Sequence, residues 1–319
     1  MPRMLYSTVI GSLPRLSDDL SSSIAMAVDL QLRYGIEIVS DGEQRTDMIG
    51  YFSDLPGISL DEGGPCVAGR VRPPRDPSET FKIRDLKSAL NHLRMRGFEA
   101  EGLKLSVTGP VTLAFTCAAK AVKTDAYRGI ADPNLYLDVA EALNPIISEA
   151  LAHGVLVQVD EPGVSAGYLN PKLAVEAVNA ALKDVGGCGD GLERLSLHVC
   201  GDLTRIPDLL THLLDVRVGC LSLAFAGKVE EANRRLPLAA LGERGRLLGV
   251  GCVSVGAGDQ GMVETVEEAA RIVRLVSSSI GLERVRYVHP DCGLRSTPLR
   301  IAEKILDTTA KAARMIRGD

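Results

Sequence analysis

Eight short apolar runs recur along the chain, at residues 8–12, 36–43, 103–109, 156–161, 195–201, 218–225, 247–255 and 285–292. Runs of this length, bounded by turn residues, read as buried strands. Between them, apolar positions fall at three- and four-residue spacing with charged residues opposite. That spacing predicts helices over 16–34, 133–153, 171–185, 263–280 and 298–317. Strand–helix alternation repeated eight times, at about 40 residues per unit, predicts one (β/α)8 TIM barrel. The barrel takes residues 1–319 as a single domain. The rival is a doubly wound open sheet, and eight units favour closure.

One connection is long. Residues 54–79 carry Gly57, Gly63, Gly64, Gly69, Pro73, Pro74 and Pro77. A loop of this length inside a compact domain is usually functional. The turn signals predict a lid or hairpin insertion, with a small hairpin over 67–71. A mobile segment without a role is the alternative.

Composition then narrows the partners. The net charge is −5, from 36 Lys and Arg against 41 Asp and Glu, which argues against a nucleic-acid surface. No apolar run reaches the roughly 18 residues of a membrane span. The first six residues lead directly into a strand-like run, which predicts no secretory leader. Seven cysteines without a small-domain framework fit a reducing, cytoplasmic setting, with thiols free for metal or packing. Trp is absent and aromatics are 4% of residues, so flat aromatic ligands find few stacking partners.

Chemistry in a parallel barrel gathers at the C-terminal ends of the strands. In the fifth run, His198 and Cys200 are two residues apart and point from one face of the strand. An imidazole beside a thiol is half of a zinc site, although both residue types are also common in cores. Cys292 closes the eighth run, and His289 lies earlier in it. Three nitrogen and sulfur donors with an open fourth position is the pattern of a catalytic zinc. The fourth run ends Asp160-Glu161-Pro162, and alternation puts Asp160 with Gln158 on the face opposite Glu161. The second run ends in a dense charged stretch containing Asp41, Glu43 and Arg45, which is either a ligand site or a solvated loop with an ion pair. The first ends Gly11-Ser12, where a hydroxyl and a close backbone suit an anion. Acids near an activated thiol site suit an amino-acid substrate with a free amine.

Six ordered motifs at these strand ends resemble the catalytic barrel of the cobalamin-independent methionine synthase family, in a stand-alone core form. They are Ile10-Gly-Ser-Leu-Pro14, Gly42-Glu-Gln-Arg-Thr-Asp-Met48, Thr108-Gly-Pro-Val-Thr112, Val159-Asp-Glu-Pro162, His198-Val-Cys200 and Pro290-Asp-Cys-Gly-Leu294. The resemblance implies zinc held by His198, Cys200 and Cys292. It also implies homocysteine contacted by Ser12, Glu43 and Asp160. Two positions depart from the family pattern. Ala224 stands where the family has a glutamate zinc ligand, and Ser254-Val255-Gly256 stands where it has an Asp-x-His element that assists methyl transfer. Methyl-tetrahydrofolate needs its leaving amine protonated, whereas a methyl-corrinoid does not. Similarity to the core-type members therefore implies methylcobalamin on a corrinoid protein as donor. A related alkyltransferase acting on coenzyme M and a non-catalytic zinc- or homocysteine-binding homologue are the alternatives. Retained Glu43 and Asp160 favour an amino-acid thiol over coenzyme M, which has no amine.

Overall fold

The computed structural model of the chain describes residues 5–185 and 192–319. In chain order the strands are β1 (Tyr6–Ser7), β2 (Ile38–Val39), β3 (Ile58–Asp61), β4 (Gly64–Val67), β5 (Gly102–Thr108), β6 (Leu156–Asp160), β7 (Leu195–Val199), β8 (Cys220–Ala224), β9 (Leu247–Val253) and β10 (Val285–Pro290). Eight of them form one parallel sheet in the order β1-β10-β9-β8-β7-β6-β5-β2. A parallel bridge from Thr8 to Ile38 joins its two ends, so the sheet closes as a (β/α)8 barrel. The helices are α1 (Leu20–Arg33), α2 (Phe81–Met95), α3 (Pro110–Lys120), α4 (Pro133–Ala152), α5 (Pro162–Ser165), α6 (Pro171–Ala181), α7 (Leu209–Leu213), α8 (Ala239–Glu243), α9 (Val266–Ser277) and α10 (Leu299–Arg317).

Local chemistry explains the element starts. Proline opens α3, α4, α5 and α6, where its fixed φ suits the first turn and its missing N–H costs nothing. Asp132 and Asn170 cap α4 and α6 by accepting from Asn134 N–H and Lys172 N–H. Thr265 and Glu268 form a reciprocal capping box on α9.

Several boundaries differ from the sequence expectation. The first strand lies at Tyr6–Ser7, ahead of the expected 8–12. β2 has two residues, because Gly42 (φ 70°) and Glu43 (φ 50°) turn the chain in the left-handed region soon after it. The hairpin of the long connection is β3 with β4, not 67–71. Helices α2 and α3 lie outside the five helical stretches singled out from the spacing. Helix α2 buries Lys82 and Asp85, which breaks its apolar stripe, and α3 is apolar almost all round, which erases the stripe.

The barrel interior is not wholly apolar. Lys104 on β5 is buried, and its ammonium donates to Val9 O and to Gln158 Oε1, both at 2.6 Å. Gln158 in turn donates to Asp160 Oδ1 at 2.6 Å and to Ile10 O at 2.9 Å. A polar line thus runs from the barrel heart to the end of β6.

Candidate metal centre and substrate cavity

Strand alternation and register bring the donors together. β6 pairs with β7 so that Asp160 lies beside His198, and β7 pairs with β8 so that His198 lies beside Ser222. The His198 Nδ1 approaches Ser222 O and Oγ, each at 3.1 Å, and these contacts orient the ring. Its other nitrogen, Nε2, is buried and has no hydrogen-bond partner. Cys200 and Cys292 complete the group, with the three donor atoms within 4.8 Å of one another and the two sulfurs 3.9 Å apart. A buried imidazole nitrogen with an unused lone pair, facing two adjacent thiols, fits a zinc ion in its donor types and in the Ser222 contacts that orient the ring. The hydrogen bond between the thiols holds Cys292 well below the ordinary thiol range and pushes Cys200 above it.

Beside these donors lies a cavity of about 250 Å³. Ser12, Glu43 and Asp160 line it together with His198, Cys200 and Cys292, so all six sequence-derived candidates meet in one space. Burial pushes the Asp160 carboxyl up to about 7, with Glu43 adding to the rise while His198 opposes it. Glu43 is buried and meets Lys82 Nζ at 2.5 Å. The turn that presents Glu43 needs Gly42, since a Cβ there would come within 2.7 Å of the Ala27 methyl. Glu161, the neighbour of Asp160, turns the other way and accepts from Val111 N–H, Thr112 N–H and Thr112 Oγ at the start of α3.

The remaining candidates fall elsewhere. His289 is a core histidine, bonded to Ser222 Oγ and Pro290 O, and burial drives its pKa well down. Arg45 forms a two-toothed pair with Asp85 and so belongs to the loop scaffold. Asp259 is exposed and accepts from Gly261 N–H. Ala224, expected from the resemblance to replace a glutamate ligand, is fully buried and offers no donor. Asp291, next to Cys292, is occupied by the N–H groups of Phe225, Ala226 and Gly227. Glu230 lies over Gly227 on the same loop. A second hollow of about 470 Å³, lined in part by Glu230, Gly256 and Glu264, also reaches Cys292.

Sequence reasoning missed three cations. Lys82 and Lys104 support Glu43 and Asp160 from below, and Arg295 lines the cavity itself. Their surrounding patterns carried no signal, because buried lysines look like surface residues until the partner is placed.

The geometry defines a (β/α)8 barrel with a His–Cys–Cys donor set and an acid-lined cavity at its C-terminal mouth. The chain belongs to the family described as the catalytic domain of cobalamin-independent synthases, which matches residues 6–315. It is 32% identical to the methionine synthase of Methanothermobacter marburgensis, over 97% of this chain and 99% of that protein. It is 31% identical to the methionine synthase of Methanothermobacter thermautotrophicus, over 93% and 90%. In fold it matches a B12-independent methionine synthase from Shewanella sp. W3-18-1 in complex with selenomethionine, at a TM-score of 0.79 and 18% identity, covering 99% of this chain and 98% of that one. The family's description lends no support to the corrinoid donor expected from the sequence. Among the described residues, no helix is long and apolar enough to cross a membrane.

Proposed function

We propose that the protein is a zinc-dependent methyltransferase that converts homocysteine to methionine. The observation that carries this is the buried, unpartnered His198 Nε2 facing Cys200 and Cys292, beside a cavity lined by Glu43 and Asp160. His198, Cys200 and Cys292 would hold the zinc ion. Bound zinc would lower the pKa of a ligating substrate thiol and present it as a thiolate nucleophile. Asp160 and Glu43 receive the substrate ammonium and fix the sulfur's direction. Ser12 donates to the carboxylate. Lys104, through Gln158, holds the Asp160 oxygen in place. The thiol proton leaves to solvent, the C–S bond forms, and the bond between methyl and donor breaks. The hollow beside Cys292 gives the donor its approach.

Residues and family point to different donors. The end of β9, Ser254-Val255-Gly256, carries no imidazole to protonate a leaving amine. Asp259 faces solvent, and Glu264 already accepts from Ser254 N–H. This favours a methyl-corrinoid protein carrying methylcobalamin, against the family's cobalamin-independent description. Zinc-loaded protein supplied with homocysteine and either methylcobalamin or methyl-tetrahydrofolate decides between them. Methionine from methylcobalamin alone supports the corrinoid reading, and methionine from the folate alone overturns it. Stoichiometric zinc with homocysteine binding but no methionine from either donor would leave a binding protein.

A further inference from the structure

Arg295 follows the Cys292 segment and lines the same cavity as Ser12 and Asp160. It is the one Lys or Arg among the described residues that does so. Its Nη2 donates to the backbone carbonyls of Glu43 and Thr46, and its Nε is buried without a partner. No acidic side chain pairs with it among the described residues. A guanidinium bonded to carbonyls through one nitrogen has donor capacity to spare. The opposite charge lines the same cavity. Asp160 and Glu43 supply negative charge there, and only Glu43 has an ion-pair partner. Acids, one cation and two sulfurs therefore line the same cavity.

We propose that Arg295 is the receptor for the α-carboxylate of the substrate, with the Ser12 hydroxyl beside it. This rests on the reading of the substrate as homocysteine. Sulfur at Cys200 and Cys292, ammonium at Asp160 and carboxylate at Arg295 fix three substituents of a flexible amino acid. Three-point attachment selects one enantiomer and rejects thiols that lack the carboxylate. A charged, hydrogen-bonded carboxylate contact accounts for a large share of such discrimination.

The test is calorimetric binding to zinc-loaded protein, comparing L-homocysteine with 3-aminopropane-1-thiol, which is homocysteine without its carboxylate. Wild type binds homocysteine about 100-fold more tightly than the aminothiol. Arg295→Met removes most of that ratio by weakening homocysteine alone. Arg295→Lys keeps a cation for the Glu43 and Thr46 carbonyls and recovers part of the ratio. Equal weakening of both ligands in Arg295→Met, with Arg295→Lys fully restoring both, shows a loop clamp only and overturns the assignment. Unchanged homocysteine binding in Arg295→Met also overturns it and leaves the proposed function standing. Wild-type protein that binds no homocysteine overturns the proposed function and this assignment with it.

Discussion

Lys82 Nζ stands 2.5 Å from Glu43 Oε1 with both side chains buried, and it lies 4.0 Å from the centre of the Tyr51 ring. Helix α2 thus supplies the cation that lets a carboxylate stand, in left-handed backbone, at the end of a two-residue strand. Breaking a buried pair from one side leaves an uncompensated charge, which costs about 3–5 kcal/mol. Lys82→Met is expected to lose stability on that scale, read as a lower urea midpoint. Lys82→Met with Glu43→Gln recovers much of the loss, because no charge is then stranded. A double variant no more stable than the single one would refute the pairing argument.

Asp41 predicts an unusual pH dependence. One of its carboxyl oxygens accepts from Glu43 N–H at 3.0 Å, and the other is buried without a partner. Burial pushes its pKa from 3.8 up to about 6, while Lys82 pulls the other way. Below about pH 3 the group is protonated in both folded and unfolded chains, and its contribution is fully present. As pH rises toward 6 the unfolded chain ionises first, so stability is lost across that window. Asp41→Asn removes the ionisation. Its stability relative to wild type should rise by about 2 kcal/mol between pH 4.5 and 8. Urea unfolding at the two pH values measures this, and a constant difference would exclude it.

Much of the site was visible before any fold was known, for one geometric reason. Alternation along a strand fixes which residues share a face, and a parallel barrel sends every strand end to one rim. His198, Cys200, Cys292 and Asp160 could be placed from those two rules. Arg295 could not, because it lies in the loop beyond β10 and reaches Glu43 and Thr46 only across the closure between the first and last strands. Lys82 and Lys104 were hidden because a buried cation is recognised by its partner, and both partners are distant in sequence. The short β2 was misread as a longer strand because Ile36, Ile38 and Val39 are apolar, while the left-handed turn at Gly42 and Glu43 depends on packing against Ala27.

The donor set makes a direct metal prediction. His198→Ala and Cys292→Ser should each purify with far less than one equivalent of zinc, and should lose methionine formation with it. Cys220→Ser should keep its zinc, since Cys220 is buried on β8 outside the donor group. Metal analysis after dialysis checks all three. Full zinc in Cys292→Ser would exclude that sulfur as a ligand.

Asp291 should act on the metal without touching it. Its carboxylate gathers the N–H groups of Phe225, Ala226 and Gly227, tying the loop after β8 to the residue that precedes Cys292. Gly251 leaves room for this, since a Cβ there would stand 2.6 Å from Asp291 Oδ1. Asparagine has the same shape but one acceptor oxygen, and its amide N–H would face a backbone N–H. Stranding a buried donor costs about 1–3 kcal/mol. Asp291→Asn should therefore lower the urea midpoint of the metal-free protein. It should also weaken zinc about 10- to 100-fold, as removal of an outer-shell support does. Competition against a chelator measures the affinity. A variant that is destabilised yet holds zinc at wild-type strength would show that Asp291 anchors the loop alone and does not position Cys292.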